Sequence, residues 1–338
     1  MTARDYLRVD AFLVDMIGAR ALASAFEIGL IDRMLAAPCD LATLQADVRI
    51  DAAGLHLLLG MLRAHRVLEP AGLRLSAAFL DALVYRDLLE AKLQFANLVA
   101  PDFLHLFTAL LMAPQQFMEQ ARLFKLFSYQ RCFESTPDNL AQTARWMRLT
   151  TALTKYEAQA CIAEHDFSGY RRMLDVGGNS GEFALRVCRA QPGLQATVFD
   201  LPLVCDIGRQ HVAREPEAAR MAFVKAPVEP VALPRGHDLI TFKSMLHDWP
   251  DAGMADFLQR AQVALEPGGT LMIFERGQVQ VEAGQIGYGQ LPLMLFFRSY
   301  RTPETYCAQL NRLGFTDITV RQVQLDMPFI LITAIKGP

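Results

Sequence analysis

From about residue 170 onward, short apolar runs alternate with segments of helical periodicity, and this alternation constrains the fold of the 338-residue chain more than any other feature. The predicted strands cover residues 173–176, 196–200, 238–246 and 270–275. The predicted helices cover residues 182–190, 206–214, 250–265 and 301–313. Two final runs, 318–323 and 328–335, are expected to pair in antiparallel fashion. Because alternating strands and helices form a mostly parallel sheet with both faces covered, the pattern predicts an α/β protein with a doubly wound, Rossmann-like domain.

The first part of the chain is predicted to be mostly helical. Apolar residues recur at helical spacing from about 9 to 37, and Asp40 and Asp51 each precede a further helix as N-caps. The segment 67–75 is typical of a short hairpin, and together these elements give a winged-helix order. The second helix of this pattern offers only three cations for DNA: His56, Arg63 and His65. These are not arranged as a reading face, so an interaction module is favoured over a DNA-binding one.

The composition excludes disorder for most of the chain and disfavours a nucleic-acid partner. Hydrophobic residues make up 52% of the chain and charged residues 20%, compared with roughly 25% charged residues in ordinary globular proteins. The net charge is −3, and acidic and basic residues are mixed along the sequence. A strongly basic nucleic-acid-binding protein has neither property. The apolar excess is most simply buried in a subunit interface, so self-association is expected.

The sequence is expected to contain neither a membrane-spanning segment nor a metal site. The longest apolar stretch, 103–113, lies between Asp102 and Pro114 and is too short to span a bilayer, and the N-terminus has no apolar signal core. The six cysteines form no C-x-x-C pair and no cluster with zinc-ligand spacing. Reduced thiols in a cytoplasmic protein fit this pattern best.

A glycine-rich segment follows the first predicted strand. The sequence D-V-G-G-N-S-G at 175–181 lies between a strand and a helix, which is the context that a nucleotide-binding loop requires. The next predicted strand ends in Asp200, whose carboxylate can accept hydrogen bonds from both ribose hydroxyls of a nucleoside. A tight turn and a helix cap could use the same residues, but their combination favours a nucleoside site. Enzymes that bind NAD share this pair, so it does not identify the cofactor.

Two further polar side chains are placed where predicted strands end. His247 lies in F-K-S-M-L-H-D-W-P-D at 242–251, and Glu275 ends the strand that follows P-G-G. Open α/β sheets bind ligands at the carboxyl ends of their strands. His247 and Glu275 are therefore expected to meet the glycine loop and Asp200 in one crevice. A single histidine is more often structural, whereas four strand-end signals together favour a functional one.

These ordered motifs resemble those of the S-adenosylmethionine-dependent O-methyltransferases, the class of plant caffeate methyltransferases and bacterial antibiotic-tailoring methyltransferases. The matching stretches, between about residues 170 and 316, are L-D-V-G-G-N-S-G, V-F-D-L-P, F-K-S-M-L-H-D-W-P-D, L-E-P-G-G-T-L-M-I-F-E and R-T-P-E…L-G-F. The N-terminal pattern is similar to the winged-helix dimerisation domain of that family. The spelling of the loop agrees, because an acid before the glycines suits a cationic sulfonium, whereas G-x-G-x-x-G directs a helix N-terminus at a pyrophosphate.

The resemblance implies how S-adenosylmethionine would be bound. Gly177 and Gly178 would lie against its methionine part. Asp200 would hold the ribose, with Leu201 beside the adenosine. Lys243 matches a lysine that contacts the cofactor in this family.

The resemblance also implies a methyl transfer to a hydroxyl of a small-molecule substrate. His247 matches the catalytic base, and Glu275 matches a carboxylate that orients the base or the substrate. Plant members often place a second catalytic Glu just before Arg-Thr, where this chain has Tyr300. Three alternatives stay open: a relative that uses S-adenosylmethionine without methyl transfer, an NAD-dependent oxidoreductase, and a ligand-sensing DNA-binding regulator.

Two features of the binding site depart from the family pattern or stay open. Asn179 replaces the middle glycine of the loop, and the adenine contact falls on either Ala226 or Glu229. The acceptor pocket is predicted from apolar character and family position, and core packing would explain its residues almost as well. Its candidates are Trp146, Met147, Leu291, Met294, Phe297 and Tyr300. They suit a flat aromatic or other apolar small molecule.

Three regions are predicted. Residues 1–100 would form a winged-helix-like dimerisation domain, and residues 101–165 a helical connecting region that contributes to the dimer and the substrate pocket. Residues 166–338 would form the S-adenosylmethionine-binding methyltransferase domain. The expected partners are the small hydroxylated substrate and a second copy of the chain, with no nucleic acid and no membrane.

Overall fold

A computed structural model of the chain describes residues 2–38, 40–227, 232–280 and 286–337. The chain divides into two compact units. The helical unit contains Asp5–Leu123 and the described part of Val281–Leu293. The sheet unit contains the described parts of Met1–Arg4, Phe124–Gln280 and Met294–Pro338. The domain boundaries predicted after residues 100 and 165 stay predictions. The long helix that starts at Pro137 packs against helices of the sheet unit.

The helical unit is built mainly from helices, the longest of which among its described residues is Arg86–Met112. They are α1 (Met16–Glu27), α2 (Leu30–Ala36), α3 (Leu41–Val48), α4 (Ala52–Ala64), α5 (Ala77–Leu83), α6 (Arg86–Met112) and α7 (Pro114–Gln120), with 3₁₀ turns at Asp5–Phe12 and Tyr288–Gln290. Both predicted N-caps are confirmed. Asp40 Oδ1 accepts a hydrogen bond from Thr43 N at 2.8 Å, and Asp51 Oδ1 accepts one from Gly54 N at 2.7 Å. The expected hairpin is reduced to one β-bridge between Leu68 and Leu75 in the described part of the chain.

Helix α6 is longer than the apolar stretch at 103–113 indicated. It runs through Pro101, and among the described residues it is the one helix whose length and composition would allow it to cross a bilayer. The sequence-based estimate of its length was therefore too short. A long helix in the core of a globular protein meets the same criteria of length and composition. Polar side chains of α6 make contacts within the helical unit, as in such a core helix. Lys92 Nζ donates to Asp10 Oδ1 at 2.6 Å, and the buried Asp102 accepts from Leu123 N at 3.2 Å.

The sheet unit contains seven strands among the described residues. They are β1 (Arg172–Val176), β2 (Gln195–Asp200), β3 (Met221–Lys225), β4 (His237–Lys243), β5 (Leu265–Arg276), β6 (Phe315–Gln324) and β7 (Pro328–Lys336). Their order is β3-β2-β1-β4-β5-β7-β6. Strands β1 to β5 are parallel, whereas β7 is antiparallel to both of its neighbours. The predicted doubly wound sheet and its antiparallel pair are therefore confirmed.

The sheet unit also contains helices, the longest of which precedes the first strand, whereas others connect consecutive strands. The helices are α9 (Pro137–Glu164), α10 (Glu182–Ala190), α11 (Pro202–Val212), α12 (Asp251–Ala264) and α14 (Pro303–Arg312), and the short helices α8 (Arg122–Leu126) and α13 (Leu291–Met294) lie where the units join in sequence. Strand β3 was not predicted. It is an edge strand whose residues are at least partly exposed, so it lacks the buried apolar run that identifies the other parallel strands.

Burial and strand order in the sheet unit together indicate where this sheet would bind a ligand. Phe242 on β4 and Ile273 and Phe274 on β5 are fully buried, as parallel strands covered on both faces require. The strand order reverses between β1 and β4. The chain adds β2 and β3 on one side of β1, and then crosses to the other side of β1 to form β4 and β5. The carboxyl ends of β1 and β4 flank this point, and doubly wound sheets bind their ligands there.

Candidate active site

The glycine loop after β1 turns through left-handed backbone conformations. Gly177 and Gly181 have φ angles of 68° and 76°, and Asn179 between them has a φ of 54°. Asparagine tolerates this region better than most residues, so its replacement of the middle glycine is compatible with the turn. A Cβ atom on Gly178 would lie 2.5 Å from Asp175 Oδ2, so the backbone there passes too close to its neighbours for a side chain.

Asp200 lies at the end of β2 and is bound to the glycine loop. Its Oδ2 accepts a hydrogen bond from Asn179 N at 2.7 Å, and its Oδ1 accepts one from Leu201 N at 2.7 Å. Burial raises the pKa of Asp200 to about 6, although both backbone bonds oppose that shift. Each oxygen accepts one backbone bond and keeps a lone pair. The carboxylate can therefore accept two further hydroxyl groups.

Asp175, the acid before the glycines, is fully buried. Its Oδ1 accepts a hydrogen bond from the Thr241 hydroxyl at 2.7 Å, but its Oδ2 has no partner among the described residues. Burial raises the pKa of this carboxyl to about 7. An unpaired buried carboxylate oxygen beside a glycine turn would be stabilised by a donor or a positive charge from a bound molecule.

Lys243, at the end of β4, belongs to a buried ion network. Its Nζ donates to Thr154 Oγ1 at 2.9 Å and to Glu157 on α9. Glu157 also accepts a hydrogen bond from Arg276 at the end of β5. The predicted cofactor contact of Lys243 stays a prediction. The sequence reasoning missed Glu157 and Arg276. The position of Arg276 directly after Glu275 was a visible signal, whereas Glu157 lies in a helix of mixed polar and apolar residues and had none.

His247 and Glu275 are brought together as the strand ends predicted. His247 Nδ1 lies 2.8 Å from Glu275 Oε2, and the carboxylate is fully buried. Glu275 Oε1 accepts hydrogen bonds from Met245 N at 2.5 Å and Leu246 N at 3.1 Å, so its orientation is fixed by backbone. His247 lies in a 3₁₀ turn, Leu246–Asp248, directly after β4.

A second carboxylate faces the other ring nitrogen of His247. Asp248 Oδ1 lies 3.5 Å from His247 Nε2, and Asp248 Oδ2 accepts a hydrogen bond from the Tyr129 hydroxyl at 2.6 Å. Burial lowers the pKa of His247, but Glu275 and Asp248 outweigh it and raise the pKa above its usual range. Asp248 and Tyr129 were not among the predicted site residues. The only sequence signal for Asp248 was its position after the histidine.

Aromatic side chains surround the histidine. The rings of Phe296 and Tyr300 have centroids 5.8 Å and 5.4 Å from that of His247. Trp146 packs against Tyr129 at 6.4 Å, and its Nε1 is buried with no partner among the described residues. Tyr300 is therefore adjacent to His247, and Trp146 is connected to that histidine through Tyr129 and Asp248.

The other predicted pocket residues are less closely tied to His247. Met147 is buried in α9, whereas Met294 and Phe297 are half-buried. The guanidinium of Arg298 lies over the Phe297 ring, 4.7 Å from its centroid. Leu291 belongs to the helical unit and is not assigned to this group.

Of the two candidates for the adenine contact, the structure describes only Ala226, and the contact itself stays a prediction. Ala226 N donates to Asp200 O at 2.8 Å, so Ala226 lies beside the end of β2. Glu229 lies outside the described residues. Within the described ranges, no group of three His, Cys, Asp or Glu side chains could hold a metal ion.

Comparisons with solved structures show the same fold. The chain superposes on human N-acetylserotonin methyltransferase in complex with S-adenosylmethionine with a TM-score of 0.75 and 23% identity, covering 95% of this chain and 94% of that one. It is also similar to the mitomycin 7-O-methyltransferase MmcR, with a TM-score of 0.73 and 21% identity, covering 94% of each chain.

Curated O-methyltransferases are similar to this chain, some over part of its length and one over most of it. The 3-hydroxy-5-methyl-1-naphthoate 3-O-methyltransferase of Streptomyces sahachiroi is 36% identical over 130 residues, which is 38% of this chain and 37% of that protein. Several other relatives also align over less than half of their own length. The O-methyltransferase SfmM3 of Streptomyces lavendulae is 27% identical over 317 residues, covering 90% of this chain and 92% of that protein.

A family model agrees with these similarities. The model of the O-methyltransferase domain matches residues 107–316, more than half of the chain. This range includes the glycine loop, Asp200, His247 and Glu275. The chain therefore belongs to the O-methyltransferase domain family.

Proposed function

We propose that this protein is an S-adenosylmethionine-dependent O-methyltransferase that methylates a hydroxyl group of a small aromatic secondary metabolite, with His247 as the general base. One observation carries the proposal. A histidine oriented by a buried glutamate, 2.8 Å from its Nδ1, follows the strand next to the one that leads into the glycine loop. A base and a nucleoside site at one sheet edge are what this transfer requires.

The residues present fit S-adenosylmethionine. The buried carboxyl of Asp175, whose Oδ2 has no partner among the described residues, is an acid beside the loop, which suits a cationic ligand better than a pyrophosphate. Gly177 and Gly178 would admit the methionine part close to the backbone, and Asp200 would accept the ribose hydroxyls with Leu201 beside the adenosine. Lys243 would contact the cofactor from the neighbouring strand. When bound, S-adenosylmethionine supplies the electrophilic methyl group.

The protein's own contribution to the reaction is proton removal. His247 Nε2 would accept the proton of the acceptor hydroxyl, while Glu275 holds Nδ1 and stabilises the imidazolium that forms. A phenol has a pKa of about 10 and a histidine one of about 6.5, so a raised histidine pKa brings the two closer. A base positioned in this way contributes about 10²–10⁴-fold to the rate.

The surroundings of His247 support an aromatic acceptor. The ring of Phe296 lies edge-on to the imidazole of His247, and that of Tyr300 is tilted against it. Trp146 packs against Tyr129. Flat rings pack favourably against such walls. The Streptomyces sahachiroi relative is named for a hydroxynaphthoate, an acceptor of this kind. Met147, Met294 and Phe297 of the sheet unit remain proposed pocket residues, and a pocket role for Leu291 stays a prediction from the sequence.

A homodimer formed through the N-terminal region, with a winged-helix module in residues 1–100, is part of the proposal. Its support is the apolar surface of the helical unit, where Ile17 and Leu104 are 57% and 65% exposed. A cytoplasmic location is supported by the five described cysteines, which are all free thiols.

A non-methylating reaction with the same cofactor is the alternative. Tyr300 favours it, because a tyrosine lies 5.4 Å from the His247 ring where plant members carry an acid. Burial raises the pKa of Tyr300 far above its usual range, so the hydroxyl stays protonated and cannot replace a carboxylate.

Mass spectrometry of the purified protein with S-adenosylmethionine and a panel of phenols and other hydroxylated small molecules tests the proposal. We expect one acceptor class to gain the mass of one methyl group while S-adenosylhomocysteine accumulates. Consumption of the cofactor with an acceptor changed in another way would favour the alternative. Absence of any bound nucleoside would contradict both.

A further inference from the structure

A line of polar side chains runs along one face of α9 and contacts the proposed cofactor site at successive points. Thr151 Oγ1 donates to Ser180 Oγ of the glycine loop at 2.7 Å. One turn later, Thr154 Oγ1 accepts the hydrogen bond from Lys243 at 2.9 Å. Glu157 follows three residues further on and accepts from the same ammonium group. Residues three or four apart share one face of a helix, so α9 is a polar support for this edge of the sheet.

Glu157 is the charged end of this line. Its two oxygens accept hydrogen bonds from different cations, Oε2 from Lys243 and Oε1 from Arg276. The exposed fractions of the three side chains are 3%, 8% and 7% for Glu157, Lys243 and Arg276. Buried charges are tolerated only when paired, and loss of one partner leaves the others uncompensated. Without Glu157, two buried cations would therefore lie at the ends of β4 and β5 with no shared carboxylate.

The same network reaches the turn that carries the base. Arg276 Nη1 donates to Ser244 Oγ at 3.1 Å, and Ser244 has a left-handed φ of 50°. The next residue, Met245, donates its backbone N–H to Glu275 at 2.5 Å. Glu157 is thus connected to both the cofactor lysine and the backbone turn that leads to the base.

We propose that Glu157 is a positioning residue that holds Lys243 and Arg276 at the site and balances their charge, so that the site accepts a cationic ligand. This inference rests on the proposed function, in which Lys243 contacts the cofactor. S-adenosylmethionine carries a sulfonium charge that S-adenosylhomocysteine lacks. The negative charge of Glu157 therefore favours the methyl donor over the product, in addition to its structural role.

Calorimetric titration with S-adenosylmethionine and S-adenosylhomocysteine tests this charge effect without turnover. Glu157→Gln removes the negative charge, so we expect affinity for the donor to fall about tenfold more than affinity for the product. Arg276→Gln removes a positive charge and should shift the preference in the opposite direction. The double variant should return the ratio of the two affinities close to the parental value. Asp138→Asn, in the exposed first turn of α9, is the matched control and should change neither affinity.

The opposite signs distinguish charge balance from simple loss of structure. If Glu157→Gln weakens both ligands equally, or if Arg276→Gln shifts the preference in the same direction as Glu157→Gln, the proposal is wrong. If Glu157→Gln does not fold, the sign of the Arg276→Gln shift decides alone. Failure of the parental protein to bind either nucleoside would instead refute the proposed function.

Discussion

His247 lies between two carboxylates, and their distances give them different roles. Glu275 is hydrogen-bonded to Nδ1 at 2.8 Å, whereas Asp248 is 3.5 Å from Nε2. The longer separation leaves Nε2 available to the acceptor hydroxyl of the proposed reaction. Tyr129 holds Asp248 through its second oxygen, which limits the approach of that carboxylate to the ring.

Replacement of His247 by alanine should separate chemistry from cofactor binding. We expect turnover to fall about 10²–10⁴-fold, because the proton acceptor is lost, while the affinity for S-adenosylhomocysteine changes little. Single-turnover rates and calorimetric titration on the same preparation would measure both. Turnover close to the parental value would remove His247 from the role of base.

The pH dependence of turnover follows from the same residue. Protonated histidine cannot accept a proton, and the carboxylates raise the pKa of His247 above its usual range. Activity should therefore decrease as the pH falls through that raised value, which is the side on which the imidazole becomes charged. A profile of kcat against pH checks this, and an Asp248→Asn variant should move its acidic limb to lower pH. An acidic limb that does not move would contradict the contribution of Asp248.

Asp175 should make the stability of the protein depend on pH. Its pKa is raised by burial to about 7, above that of about 3.9 for an unfolded-chain carboxyl, so the folded state binds the proton more tightly. The stability contributed by this proton is present at low pH and is lost as the pH rises toward 7. Asp175→Asn removes the dependence, so its stability relative to the parent should increase by about 2–3 kcal/mol from pH 5 to pH 8. Urea unfolding at both pH values measures the difference, with the exposed Asp138→Asn as control.

At the scale of elements, the glycine loop depends on close backbone approach. A Cβ on Gly178 would meet Asp175 Oδ2 at 2.5 Å and Val198 Cγ1 at 3.0 Å, whereas one on Gly60 in α4 would meet no atom within 4 Å. We expect Gly178→Ala to cost about 1–3 kcal/mol and to weaken nucleoside binding. Gly60→Ala should be neutral or stabilise by up to about 1 kcal/mol, because alanine favours helices. Thermal unfolding with and without S-adenosylhomocysteine compares them, and equal effects would contradict the close-approach argument.

Most elements of the sheet unit could be predicted, because a buried strand or helix face requires apolar residues at regular spacing in the sequence. The strand before the glycine loop and helix α10 have long buried apolar faces, and both were found within a residue of their observed bounds. Strand β3 escaped prediction because it is an edge strand without a buried run. The positions of polar side chains at the ends of predicted strands, such as Glu275, were also predictable.

Contacts between distant elements could not be predicted in this way. Glu157 and Lys243 are 86 positions apart, and Tyr129 and Asp248 are 119 apart, so no local period connects them. Each pair forms only because α9 and the segment before it pack beside the carboxyl ends of the strands. A buried charge in a helix announces a partner but does not identify it.

At the scale of the whole molecule, part of the apolar excess in the composition is exposed on the surface of the helical unit. In the helical unit, Ile17 on α1 and Leu104 on α6 are 57% and 65% exposed, and both line one apolar groove together with Met16 and Tyr288. Contiguous apolar surface of this kind marks protein interfaces. A second copy of the chain is the occupant that the proposed homodimer provides.

The homodimer can be tested by placing charge in that groove. Ile17→Asp and Leu104→Asp would each put a carboxylate into an apolar contact, where an unpaired charge is strongly unfavourable, so we expect each variant to shift the protein to a monomer. Light scattering coupled to size-exclusion chromatography measures the mass directly. Val320→Asp is the matched control, because Val320 is 44% exposed on β6 of the sheet unit and lies outside the groove. A parental protein that is monomeric at micromolar concentration, or a dimer that survives both groove variants, would show that this surface does not mediate self-association.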